Sequence, residues 1–153
     1  MKPPISGDGV TLMIVDIARL LRKRFELALS QVDTGLTVAE SRTLAYVWRN
    51  PGLRQTMLAE RMNVEPMTLV GYLDSLETAG LIARTIDPAD RRAKQITLTD
   101  AADDILQKID VVTLKVRAET LAGMTEMQCE DLEHLLGSMK ENLLNRDHGR
   151  SEK

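Results

Sequence analysis

At 153 residues, with a formal net charge of −3 and a pI near 5.4, the chain has room for one compact domain with extensions and not for a multi-domain enzyme. Its 43% hydrophobic and 28% charged residues exclude a disordered or fibrous chain. Aromatics at 3% leave Leu, Ile, Val, Ala and eight Met to fill the core, which suits packed helices better than a β-sandwich. A lone cysteine, Cys129, excludes an intramolecular disulfide, and two histidines leave little for a zinc site, so a cytoplasmic protein without metal or cofactor is expected. The apolar stretch Val10 to Leu21 is broken by Asp16 and Arg19, so neither a membrane span nor a signal peptide is expected.

Residues 1–9, with Pro3, Pro4, Gly7 and Gly9, read as an irregular leader. Met13, Ile14, Ile17, Leu21, Phe25 and Ala28 then recur at helical spacing opposite Asp16, Arg19, Lys23 and Glu26, which predicts an amphipathic helix over 10–31. Thr37 and Glu40 form a capping box that opens a helix to about Arg49, stopped by Asn50, Pro51 and Gly52. A short helix over 54–62, a tight turn over 63–65, and a second helix bracketed by Pro66 and Gly80 make a helix-turn-helix.

Ile82–Ile86 and Lys94–Thr99 read as two strands joined by a polar turn, Asp87 to Arg92, with Ile96 and Leu98 facing inward. A basic-tipped hairpin directly after a helix-turn-helix defines a winged helix, so the expected fold is mainly α with a small β-hairpin. Ile105, Ile109, Val112 and Val116 mark a long helix over about 100–123. Thr125 with Gln128 opens a last helix with an apolar face of Leu132, Leu135, Leu136, Met139 and Leu143, followed by a polar tail over 146–153. The winged helix occupies 36–99, and the apolar faces at 10–31 and 100–145 need burial. An intramolecular three-helix bundle would supply it. So would a homodimer, the expected solution, because it sets two winged helices about one DNA turn apart.

The run Leu36-Thr37, Leu58-Ala59-Glu60-Arg61-Met62, Thr68-Leu69-Val70, Leu73-Asp74-Ser75-Leu76-Glu77, Gly80-Leu81-Ile82, Asp90-Arg91-Arg92-Ala93-Lys94 and Leu98-Thr99 resembles the MarR family of bacterial transcription regulators, nearest to its SlyA-type branch. The resemblance spans about residues 10–145. It implies a homodimer that binds double-stranded palindromic promoter DNA and, in many members, releases it on binding a small phenolic or aromatic carboxylate.

An Arg on a narrow hairpin can enter the minor groove, where the potential is most negative, and a neighbouring Asp can fix its pose. By likeness to the family Arg92 is the groove residue, with Asp90 and Arg91 positioning it; Lys94 and Arg84 are expected phosphate contacts. Pro66, Met67, Thr68, Tyr72 and Ser75 are the candidate major-groove residues, with Arg54 and Gln55 at phosphates. The sequence departs from the family at Gly71, where Arg is common, and the helix over 66–79 holds no Lys or Arg. Apolar contact with thymine methyls and DNA shape must then carry more of the readout.

An effector cavity would draw on Met13, Ile17, Trp48 and Met57; plain core is the alternative for the same residues. Cys129 lies in the last helix and reads as an inert thiol. With no H-E-x-x-H pattern, glycine-rich phosphate loop or nucleophile elbow, no enzymatic activity is expected. The competing reading is a winged-helix protein-interaction or ligand-binding dimer whose DNA recognition has degenerated.

Overall fold

The computed structural model describes residues 9–148. Six α-helices and one antiparallel hairpin follow in the order α1 (Gly9–Ser30), α2 (Val38–Arg49), α3 (Gln55–Met62), α4 (Pro66–Thr78), β1 (Ile82–Asp87), β2 (Asp90–Leu98), α5 (Asp103–Thr120) and α6 (Glu126–His148). A single 3-10 turn, Asp100–Ala102, leads into α5. The predicted leader therefore lies outside the described residues except for Gly9, and so does the tail beyond 148. α6 runs three residues further than expected, through Arg146 to His148.

Local chemistry sets most of these boundaries. Thr37 and Glu40 close the expected capping box: the Thr37 hydroxyl accepts from the Glu40 N–H (3.2 Å), and the Glu40 carboxylate accepts from the Thr37 N–H (2.9 Å). Asn63 ends α3 in a left-handed conformation, which an asparagine tolerates. Pro66 starts α4 where its missing N–H is no loss. Gly80 (φ +75°) ends it in a Schellman arrangement, with the Leu81 N–H on the Leu76 carbonyl and the Gly80 N–H on the Glu77 carbonyl. The Thr99 hydroxyl then donates to the Gly80 carbonyl (2.6 Å), fastening the end of β2 to the end of α4.

The chain divides into two compact units, residues 9–116 and 117–148 among those described. In the first, Leu44, Leu58, Met62, Leu69, Leu73, Leu76, Ile96 and Ile109 are fully buried, so α2, α3, α4, β2 and α5 share one core. α5 adds Leu106, Val112 and Val116 to it, and the division therefore falls inside α5 rather than before it, as the boundary at residue 100 had it. α1 joins this core through its C-terminal half, with Ala28 and Leu29 buried and Leu21 and Phe25 partly buried against it; Val10, Leu12, Met13, Val15, Ile17 and Leu20 are exposed. In the second unit the Thr125–Gln128 capping box forms as expected, and Met127, Leu135, Leu136, Leu143 and Leu144 of α6 are exposed. No described helix is long and apolar enough to cross a membrane.

Because Leu73 is fully buried among these helices, Leu73→Ala is expected to lower unfolding stability by about 2–5 kcal/mol. Denaturant unfolding should show this as a lower midpoint with an unchanged slope.

Candidate nucleic-acid interface

The hairpin differs from the expected one in a way that matters for its arginines. β2 begins at Asp90, and the pairing runs Ile82 with Leu98 through Ile86 with Lys94, then jumps to Asp87 with Asp90. Between the last two pairs β1 has no residue, whereas β2 has Arg91, Arg92 and Ala93. These three residues therefore form a bulge on β2, and the turn beyond it is only Pro88 and Ala89. The basic pair sits on a kinked strand and not at the hairpin's tip, a device that re-aims side chains out of the ladder.

The root of the bulge is anchored. The Asp87 side chain is almost fully buried; its Oδ1 accepts from the Ala89 N–H (2.8 Å) and its Oδ2 from Arg54 Nε (2.6 Å). Arg54 also reaches Asp90 at 3.9 Å, and its backbone forms an isolated antiparallel bridge with Gln95. As Arg54 is the N-cap of α3, one residue ties the hairpin to the helix-turn-helix. Asp90 Oδ1 accepts from the Arg92 N–H (3.0 Å), fixing the backbone of the bulge from inside. The N–H of Ala89, and after it Arg54, hold the Asp87 carboxyl below its usual range.

Arg91, Arg92 and Lys94 are exposed, and none makes an ion pair among the described residues. Arg84 is different. Its guanidinium is held by Asp74 and by Glu77 (3.1 Å), both on α4, and its side chain is only 14% exposed. The hydrogen bond from Arg84 draws the Glu77 carboxyl below its usual range. Arg84, expected at a phosphate, thus locks β1 to α4. Arg54, half-exposed and paired to Asp87, is likewise first a brace, and Gln55 beside it is half-buried.

On α4 the expected readers Pro66, Met67, Thr68 and Ser75 are exposed and Tyr72 is half-buried. Ser75 of α4, and after it the Thr37 N–H, hold the Glu40 carboxyl below its usual range. The sequence reading missed Arg42 of α2, which is buried, donates to the Met62 carbonyl (2.7 Å) and to Glu26 of α1 (3.3 Å), and lies 5.9 Å over the Tyr46 ring. It holds the end of α3, just before the turn into α4. Its sequence signal was a cation four residues before Tyr46, within a helix that also buries Leu44, Ala45 and Val47.

The four residues expected around an effector are not brought together within one chain. Trp48, 41% exposed, lines a cleft of about 180 Å³ with Asp103, Leu106, Gln107 and Asp110. Met13, Ile17 and Met57 are exposed and do not line it: the first turns of α1 do not pack on the core, and Met57 of α3 faces outward. Cys129 is a half-buried free thiol, and no group of metal-ligating side chains occurs among the described residues.

A helix pair with its second helix exposed, followed by a braced hairpin that bears free arginines, is a winged helix-turn-helix. Residues 36–94 match the model of the family described as MarR family. Solved structures agree. A MarR-family transcriptional regulator from Silicibacter pomeroyi is 25% identical over 82% of this chain and 86% of that one (TM-score 0.71). CouR from Rhodococcus jostii RHA1, solved with p-coumaroyl-CoA bound, is 25% identical over 86% and 92% (TM-score 0.66). The transcriptional regulator SlyA, 23% identical over 85% and 93%, shares the fold (TM-score 0.65).

The depressed acidity of Asp87 has a sign that can be checked. Its contribution to stability is complete above the unfolded carboxyl value of about 3.9 and disappears as pH falls through the lower folded value. Wild type should therefore unfold at a higher temperature than Asp87→Asn from pH 5 to 7, and the gap should close below about pH 4. A gap that does not change with pH would mean that the charge on Asp87 does not hold the hairpin.

Proposed function

We propose that this chain is a DNA-binding transcriptional regulator that works as a homodimer on a palindromic operator, with α4 in the major groove and residues 84–98 in the minor groove. Arg92, with Arg91 beside it, enters the minor groove; Lys94 meets a phosphate. The observation that carries this reading is the braced bulge, which exposes two unpaired arginines from a strand fixed to the helix-turn-helix by Arg54 and Asp87. A pre-set arginine enters a narrow groove without first being ordered.

The dimer is supported by the exposed apolar residues of α1 and α6. In this reading they meet their counterparts across a two-fold axis. Modulation by a small aromatic ligand draws support from the p-coumaroyl-CoA held by CouR. The SlyA-type branch is proposed from the Leu-Glu-x-x-Gly-Leu-Ile run that leads from α4 into β1. The role is one of binding, not catalysis, and its setting is the cytoplasm.

One observation favours the second reading, a dimer with degenerate DNA recognition. α4 has no cation, and Asp74 and Glu77 on it neutralise the nearest one, Arg84. Salt dependence separates the two. Three free wing cations per chain give a dimer about six, for a slope near −5 in log K against log salt on A·T-rich palindromic duplexes. Absence of binding at low salt would favour the interaction module.

Arg92→Ala is expected to abolish specific binding while the sedimentation of the dimer and its thermal unfolding stay unchanged. Loss of folding would make the residue structural, and a monomer at micromolar concentration would remove the two-fold basis of the proposal.

A further inference from the structure

α4 contains one residue that the chain's own packing does not account for. Gly71 lies mid-helix with φ outside the left-handed region, and a Cβ built there would meet no atom within 4 Å. Glycine at such a position weakens a helix relative to alanine. Neither backbone conformation nor internal space requires it, so whatever favours a bare backbone there approaches from outside.

The surroundings narrow what that is. Met67 and Thr68 lie one turn before Gly71 on the same face, and Asp74 and Ser75 lie one turn after it. Met67 is 79% exposed. Asp74 is engaged by Arg84, and Ser75 is turned toward the acidic side, beside Glu40. What remains around Gly71 is a thioether chain, a threonine with its methyl group, and exposed backbone, on a helix without a cation. Among the four bases, only thymine presents an apolar group, its 5-methyl, in the major groove.

We infer that Gly71 is a specificity-determining gap at which the backbone of α4 closes on the floor of the major groove, with Met67 and Thr68 enclosing a thymine 5-methyl group. The inference rests on the regulator reading above and names the base feature which that reading leaves open. An alanine at position 71 places a methyl where the base edge must come, and so exchanges helix stability against fit.

The test uses the full chain. Duplexes are selected from a random pool by wild type and by Gly71→Ala, and each thymine of the wild-type site is then replaced in turn by deoxyuridine, which removes only the methyl group. Gly71→Ala should raise the unfolding temperature by about 2–4 °C and weaken binding to the wild-type site about tenfold. Deoxyuridine at one position per half-site should weaken wild-type binding by about three- to tenfold and leave the variant's binding unchanged; 5-methylcytosine at that position should keep the methyl contact. If the variant selects the same site with the same affinity, or if deoxyuridine is silent at every position, the inference is overturned while the regulator reading stands. If wild type itself selects no sequence, the regulator reading fails first and the gap has no occupant.

Discussion

The ion pair between Arg54 and Asp87 is the contact on which the geometry of this surface depends. A two-stranded hairpin is marginal on its own in water, and here its outer end carries a three-residue bulge that breaks the ladder. Left alone, such a strand would sample many poses, and the arginines on it would be ordered only at the cost of binding energy. Arg54 removes that freedom by reaching across 33 positions of sequence from the cap of α3 to a nearly buried carboxylate at the root of the bulge, while its backbone bridges Gln95. The pair is partly open to water at Arg54, so its worth lies in fixing direction more than in global stability.

Charge is distributed with the same economy. The winged helix holds several arginines, but they divide by role according to their partners. Arg42 is buried and holds the carbonyl that ends α3, Arg84 is clamped by two carboxylates of α4, and Arg54 braces the bulge. On this hairpin Arg91, Arg92 and Lys94 form no ion pair among the described residues, although Lys94 lies within the field of Glu77. Unpaired positive charge is thus concentrated on the hairpin, while α4 sets Asp74 and Glu77 against the single Arg84 and keeps a slight negative excess. In a groove whose walls are negative, a helix without a cation gains nothing from long-range attraction and must rely on shape and close contact.

The elements were legible because their signals are local. Capping boxes at Thr37 and Thr125, Pro66 and Gly80 around α4, and apolar seams at helical spacing act within a turn or two, and the helices begin and end close to where those signals lie. The bulge was not legible, because it is a property of register: which residue of β2 faces Ile86 depends on pairing across the hairpin and not on the identity of Arg91. The roles of Arg54 and Arg84 were hidden for the same reason, since their acid partners become neighbours only through folding. An arginine beside a hairpin reads as a phosphate contact until its carboxylate is located.

The apolar residues of α1 and α6 extend this reasoning from a single chain to its assembly. The buried face of α2 shows how this sequence treats a helix that faces a core: Leu44, Ala45 and Val47 are all enclosed. α1 has an equally regular apolar seam, yet only its C-terminal half meets the core, through Leu21, Phe25, Ala28 and Leu29. Exposed aliphatic residues that keep helical periodicity over several turns are maintained against the solubility they forfeit, which is reasonable only if a matching surface covers them. In the dimer proposed above, a second copy of the chain would supply that match without any further partner, since an isologous contact needs just one self-complementary face. The same contact would hold two braced hairpins at a fixed separation, so the stiffness that Arg54 gives to one hairpin has a use only if the spacing between two is also fixed.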